Sequence, residues 1–290
     1  MDRRDARAVN ARLPIALTIA GSDSGAGAGV QADLRTFAAF GVYGASAITA
    51  LTAQNTLGVR AIHLAPPEFV AAQIEAVLTD FDVAAIKLGM LGSAAIVEAV
   101  AEILSEAGHR PLRFVVYDPV MVATSGDALA GPDLVDALKA RLLPLIDCLT
   151  PNLSEASALL GAPAATSEAA MAAQGAALLA LGPRAVLMKG GHLDGLQAVD
   201  VLVTGQGARR FAAPRMASRN LHGTGCTLSS AIAASVVLGA RLDEAIAAAK
   251  DFVGAAIEAG RDVALGQGAG PLLQGKLRQA VEFPGSNVAS

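Results

Sequence analysis

The stretch HGTGC, residues 222–226, sets a cysteine directly behind a glycine-flanked turn, where the run TLSSAIAASVV begins a helix. The first amides of a helix have no partner within it, and together with the positive end of the helix dipole they favour an anion. Bare amides at Gly223, Thr224 and Gly225 would suit phosphoryl oxygens whose charge redistributes during transfer. Cys226, in the first turn, is expected to ionise more easily than a thiol in water. A small apolar residue packed against a sheet explains the cysteine equally well, and the turn alone does not decide.

Other residues capable of chemistry also stand just past apolar runs. FVVYDPVM ends in Asp118 followed by a proline, and TPNLSE supplies Asn152 and Glu155. Two carboxylates at neighbouring strand ends can hold a hydrated Mg²⁺, which takes oxygen ligands and keeps several waters. Taken alone, Glu155 reads as a helix-capping residue; the pair reads as a metal site. VLMKGGH places Lys189 before two glycines as a point charge for phosphate oxygens, although a solvated lysine at a strand end is the commonplace alternative. GSDSGAGAGVQAD meets the G-x-G-x-x-A spacing through Gly27, Gly29 and Ala32, but no acidic residue lies between Asp33 and Glu68 to hold a ribose. A tight turn that lets helix and sheet approach accounts for those glycines as well. His63 and His109 read as loop residues, while His192 and His222 adjoin these motifs without an assigned role.

Such residues need a frame that gathers them. From Pro14 onward, apolar strand-like runs (IALTIAG, ASAITALTAQ, AAIKLGM, FVVYDPVM, DCLTP, AVLMKGG) alternate with segments of helical periodicity, and a hairpin-like pair, AVDVLVTG and ARRFAAP, precedes two long closing helices. This predicts an α/β fold, a three-layer αβα sandwich with a mostly parallel central sheet. Ligands of open α/β sheets bind beyond the carboxyl ends of the strands. GSDSGAGAG, AQNT, KLGML, DPVM, TPNLSE, KGGH and HGTGC all fall at strand or helix junctions. One domain is expected over residues 14–275, between a flexible tail at 1–13 and another at 276–290.

Composition narrows the choices. The 290 residues are 53 % apolar and 3 % aromatic, with a net charge of −4 and no basic run beyond the N-terminus, so nucleic acid is an unsupported partner. The uncharged stretches 36–59 and 220–240 are interrupted by glycines, amides and hydroxyls, which favours buried core elements over membrane spans. Cys148 and Cys226 form neither a disulfide framework nor a metal-ligand pair, and a reducing cytoplasm is the default location.

Together and in this order, GSDSGAGAGVQADL, ALTAQNT, KLGML, DPVMVATSG, TPNLSEA, KGGH and HGTGCTLSSA resemble the hydroxymethylpyrimidine/phosphomethylpyrimidine kinase family of thiamine biosynthesis, within the ribokinase superfamily. The resemblance runs over residues 14–272. It implies a ribokinase-like sheet, the cofactors ATP and Mg²⁺, and phosphorylation of 4-amino-5-hydroxymethyl-2-methylpyrimidine and then of its monophosphate. Carried over residue by residue, it implies a pyrimidine pocket at Gly21, Asp33, Gln54, Met90 and Val120. It further implies ATP contacts at Asn152, Lys189, Thr224 and Gly225, a metal at Asp118 and Glu155, and catalysis by Cys226 with the Gly223–Gly225 turn and Lys189. An aminopyrimidine presents a donor beside a ring-nitrogen acceptor, which the primary amide of Gln54 can answer, and Met90 offers an adaptable apolar wall.

Sugar and pyridoxal kinases of the superfamily carry an aspartate where this chain has Cys226. Ala26 stands where many relatives have a glycine, and its methyl is expected to be tolerated. A pyridoxal kinase is the second kinase reading, with Gln54 and Cys226 against it. A His222–Cys226 hydrolase dyad lacks an identifiable third residue, and a pyrimidine sensor would need none of Asp118, Glu155 or Lys189. By analogy the partner is a second copy, in a homodimer.

Overall fold

The computed structural model describes residues 13–106, 114–121, 132–191 and 193–275. The two expected tails, apart from Leu13, as well as His109 and His192, lie outside the described residues. A nine-stranded sheet has the order β3-β2-β1-β4-β5-β6-β7-β8-β9. Its strands are β1 Ile15–Asp23, β2 Tyr43–Asn55, β3 Gly58–Leu64, β4 Val83–Leu88, β5 Phe114–Tyr117, β6 Cys148–Leu149, β7 Ala185–Gly190, β8 Gln197–Thr204 and β9 Gly207–Pro214. From β2 through β7 every pairing is parallel, while β3 and the β8–β9 hairpin close the two edges antiparallel.

Period-two alternation along the strands sorts side chains to two faces. Leu17, Ile19, Ile86, Leu88, Val186 and Met188 join one core, covered by α2 Pro67–Asp80, α3 Ala94–Glu106, α4 Pro132–Ala137, α5 Leu153–Leu160 and α6 Glu168–Leu179. Ala16, Ala85, Val116, Cys148, Ala185 and Leu187 join the other, beneath α1 Gly29–Ala39, α7 Thr224–Val237 and α8 Leu242–Gly260. These are the three expected layers. The same alternation aims Thr18, Lys87 and Lys189 at the α1/α7 side.

Helix boundaries follow local chemistry. Pro66 and Pro67 open α2, where a missing N–H costs nothing. Asn152 and Glu155 form a reciprocal capping box on α5, which ends in a left-handed Gly161. In α7 every residue from Cys226 to Ser235 is buried, and its small side chains let it lie close on the sheet.

Strand β3 is the element the periodicity missed. The second half of β2 runs on beyond its parallel neighbour and turns back at Asn55–Gly58 into β3. Both strands of this hairpin are largely exposed, so neither carries the apolar run of a buried strand. The signal that identifies it is the turn NTLG followed by the alternation VRAIHL.

Candidate active site

After β1 the chain crosses from β2 on one side to β4 on the other, and this topological switch opens a crevice at the strand ends. Gly21 and Met90 meet there: a Cβ on Gly21 would stand 3.5 Å from the Met90 sulfur. The Met90 carbonyl accepts a 2.6 Å hydrogen bond from Thr49 Oγ1. The glycine loop that follows is built on Asp23, whose carboxylate accepts from the amides of Gly25, Gly27 and Ala28 at 2.8, 3.0 and 2.9 Å. Those amides are spent inside the loop, so it is a tight turn and not a phosphate cradle.

Three strand ends deliver the charged groups. Asp118 follows β5, Glu155 lies in the first turn of α5 and Lys189 is on β7. Lys189 Nζ stands 2.5 Å from Asp118 Oδ1 and 3.6 Å from Glu155 Oε2. Burial opposes the charge on Lys189, but the two carboxylates outweigh it and raise its pKa. Glu155 is raised as well, by burial and by Asp118, against the pull of Lys189. Its Oε2 also accepts the Asn152 amide at 2.7 Å, so the cap and the charged cluster share one carboxylate. Val120 is half-buried two residues beyond Asp118.

The turn preceding α7 faces this cluster. A Cβ on Gly225 would come within 3.0 Å of Asp118 Oδ2 and 3.1 Å of Lys189 Nζ, so only glycine lets the backbone approach this closely. Gly223 has φ +86° and would press a Cβ to 2.0 Å from the Gly27 carbonyl, which locks the turn against the glycine loop. Among the described residues the amides of Gly223, Gly225 and Cys226 make no hydrogen bond. Thr224 departs from the expectation of a bare amide. Its N–H turns back to the Leu221 carbonyl at 3.3 Å, and its hydroxyl donates to the same oxygen at 2.6 Å.

Two further expectations are corrected. The Cys226 thiol is harder to ionise than a free thiol. Burial pushes it up to about 11, and Lys87 and the Gly29 amide only partly oppose this, while Asp33 and Asp118 add to it. The helix terminus is outweighed because the sulfur is enclosed by the sheet and α1. Asp33 is no wall of the crevice. It is 0 % exposed, with Oδ2 accepting from Thr18 Oγ1 at 2.6 Å and Lys87 Nζ at 2.9 Å. Its Oδ1 accepts from Ser230 Oγ at 2.7 Å. Both of its oxygens are engaged by these three internal donors.

Gln54 stands near the end of β2. Its amide is 3.2 Å from His222 Nε2, and both residues line one hollow of about 120 Å³. A larger hollow of about 260 Å³ lies beside Arg219 and Arg261 and carries none of the catalytic carboxylates. The sequence reading missed the roles of Asp23, His222 and Lys87. Asp23 begins a D-S-G turn of the kind its side chain stabilises. Lys87 is the single charge in an otherwise apolar strand, which requires a buried partner.

Residues 23–273 match the family model for phosphomethylpyrimidine kinase. The chain belongs to this family. A hydroxymethylpyrimidine/phosphomethylpyrimidine kinase of Rhizobium meliloti is 53 % identical over 258 residues, covering 89 % of this chain and 96 % of the relative. Among solved structures, the phosphomethylpyrimidine kinase of Clostridium difficile superposes with a TM-score of 0.74 at 42 % identity, covering 85 % of this chain and 100 % of that one. The Bacillus subtilis pyridoxal kinase, solved as an ADP complex, superposes with a TM-score of 0.81 at 36 % identity, covering 91 % and 98 %. In this phosphomethylpyrimidine kinase family member, the switch-point crevice, the carboxylate–lysine cluster and the glycine turn lie along one edge of the sheet.

Proposed function

We propose that the chain transfers phosphate from ATP to the alcohol of 4-amino-5-hydroxymethyl-2-methylpyrimidine, and then phosphorylates the monophosphate to the diphosphate. The observation that carries this reading is the meeting of Asp118 and Lys189, 2.5 Å apart, against Gly225, where even a Cβ would crowd both of them. Phosphoryl transfer needs little covalent help from a protein; it needs positioning and charge stabilisation. The amides of Gly223, Gly225 and Cys226 are aimed where negative charge develops. Lys189 balances the phosphate oxygens, and Asn152, Thr224 and Gly225 complete the ATP contacts. Cys226 lies beside these amides and accepts the alcohol proton. With its pKa pushed up to about 11 the group is mostly a thiol near neutral pH and only the small thiolate fraction can take that proton, so most of the acceleration comes from the amides and Lys189.

Asp118 and Glu155 fit Mg²⁺. Both are hard oxygen donors, and burial and Asp118 disfavour the charged form of Glu155, which an additional cation would favour. When bound, the ion neutralises phosphate charge. Gln54 and Met90, with Gly21 and Val120, hold the aminopyrimidine.

Incubating the purified protein with MgATP and the alcohol, and resolving mono- and diphosphate products, tests the reading. Formation of both is expected; absence of either product rejects it. The likeness to the Bacillus subtilis pyridoxal kinase favours pyridoxal as the second alcohol to compare in parallel. No helix among the described residues is long and apolar enough to cross a membrane, and our reading places the enzyme in the cytoplasm. We further infer a homodimer. The β2–β3 hairpin exposes Leu51 on one face and Ile62 and Leu64 on the other, with Phe69 nearby, and its outer strand is an open sheet edge.

A further inference from the structure

His222 is the one buried titratable group of the HGTGC turn that the reaction above does not use. It is 9 % exposed, and its ring lies on Gly27, where a Cβ would come within 2.2 Å of Cδ2. Nε2 stands 2.9 Å from Asp23 Oδ2 and 3.2 Å from the side-chain amide of Gln54. Asp23 already accepts from three backbone amides, those of Gly25, Gly27 and Ala28. A carboxylate so surrounded is ionised and can only accept. Nε2 of His222 therefore carries a proton and donates it towards Asp23.

That proton dictates the orientation of Gln54. The end of its amide beside His222 is Nε2, and the end 3.2 Å from Thr52 Oγ1 is Oε1. A half-turn of the amide exchanges the two ends without changing its shape, and hydrogen bonding has to decide between them. An N–H cannot usefully face another N–H, so the amide oxygen belongs beside His222. The amide nitrogen then faces Thr52, whose own hydroxyl proton goes to the Ser22 carbonyl at 3.0 Å, leaving its oxygen to accept. The His222 N–H, the Thr52 hydroxyl and one hydrogen of the Gln54 amide then each face an acceptor.

We propose that His222, held by Asp23, is a specificity-determining residue that pins the Gln54 amide in one orientation, so that the pocket reads the order of donor and acceptor along a pyrimidine edge. This rests on the kinase reading above. A 4-aminopyrimidine offers an NH2 donor beside a ring-nitrogen acceptor. The corresponding 4-oxo ring offers a carbonyl acceptor beside a ring N–H donor, the reverse order. An amide free to turn serves both rings, whereas a pinned amide serves one. Pinning also leaves the accepted ring one in-plane orientation, and hence one side on which its 5-hydroxymethyl group lies.

The test compares kcat/KM for 4-amino-5-hydroxymethyl-2-methylpyrimidine and its 4-oxo analogue. The wild type is expected to prefer the amino compound by roughly 100-fold or more, because the reversed ring leaves buried polar groups unpaired. His222→Phe keeps a flat ring over Gly27 and removes the donor. It should cut that preference about tenfold, through KM more than kcat, which corresponds to the loss of one defined hydrogen bond. An unchanged preference in folded His222→Phe protein overturns the proposal. A second readout uses nitrogen-15-labelled histidine in the wild-type protein. A proton on Nε2 is expected, and a neutral ring protonated on Nδ1 alone overturns the proposal even if the variant does not fold. Wild-type protein that phosphorylates neither alcohol rejects the kinase reading, and the nitrogen spectrum still decides the state of His222.

Discussion

Cys226 illustrates how one residue answers to opposing local fields. Its place at the start of α7 favours a thiolate, while enclosure by β4 and α1 favours the thiol, and burial is the larger effect. Modification by iodoacetamide, mapped to the Cys226 peptide, should therefore rise about tenfold per pH unit above pH 8 and level off only near pH 11. Levelling near pH 8 would show a thiolate stabilised beyond what the site provides. The folded pKa of the thiol lies above the unfolded one, so its contribution to stability is complete below the unfolded value and is lost as pH rises through about 11. Cys226→Ala should lower kcat by roughly 100-fold or more if the sulfur accepts the alcohol proton; full turnover in stopped assays would leave catalysis to the amides and Lys189. Ala26 is a separate case. It alone among described non-glycine residues has positive φ, +59°. Its methyl is accommodated with backbone strain, and Ala26→Gly should raise the unfolding free energy in urea by about 1 kcal/mol.

At the scale of elements, the catalytic turn is held by the helix behind it. Ser230 of α7, Asp33 of α1 and Thr18 and Lys87 of the sheet form a buried network that fixes α7 against β1 and β4 one turn beyond Cys226. Removing one member of a buried ion pair leaves the other charge uncompensated, so Asp33→Ala should cost roughly 3–5 kcal/mol in urea unfolding. The double variant Asp33→Leu/Lys87→Met should recover much of that stability. It also removes the lowering effect of Lys87 on Cys226 together with the smaller raising effect of Asp33, so the pH at which alkylation levels off should move slightly upward. Recovery of stability with an unmoved alkylation profile would confine the pair to a structural role. At the far end of the sheet, Asp200 of β8 accepts from the Gly190 amide at 3.0 Å and from Lys250 Nζ of α8 at 2.6 Å, anchoring the strand end that bears Lys189.

For the whole molecule, the exposed hairpin is the feature a lone copy explains least. Covering the face that carries Ile62 and Leu64 with a second copy removes apolar surface from water and protects the β3 edge. Light scattering of the wild type should give twice the chain mass, and Ile62→Glu should give the monomer mass at the same concentration. A monomeric wild type at micromolar concentration would overturn the homodimer. Because this hairpin also ends in Gln54 and the turn lining the smaller hollow, loss of the dimer should raise KM for the pyrimidine more than for ATP.

Layer order and parallel pairing were legible from the chain because they depend on local periodicity, which each strand and helix carries in its own residues. The charged cluster was legible for a related reason: Asp118, Glu155 and Lys189 each stand at a strand end, and a parallel sheet brings all its strand ends to one edge. The edge strand β3 and the fate of Asp33 were not, since both depend on what lies opposite in space. The proton on His222 is likewise a property of distant neighbours, Gln54 and Asp23, 168 and 199 residues away along the chain. By itself the sequence determined which groups would be available and at which edge. Only tertiary structure decided which of them face the crevice and which are consumed behind it, because burial and hydrogen-bond pairing are set by long-range contacts.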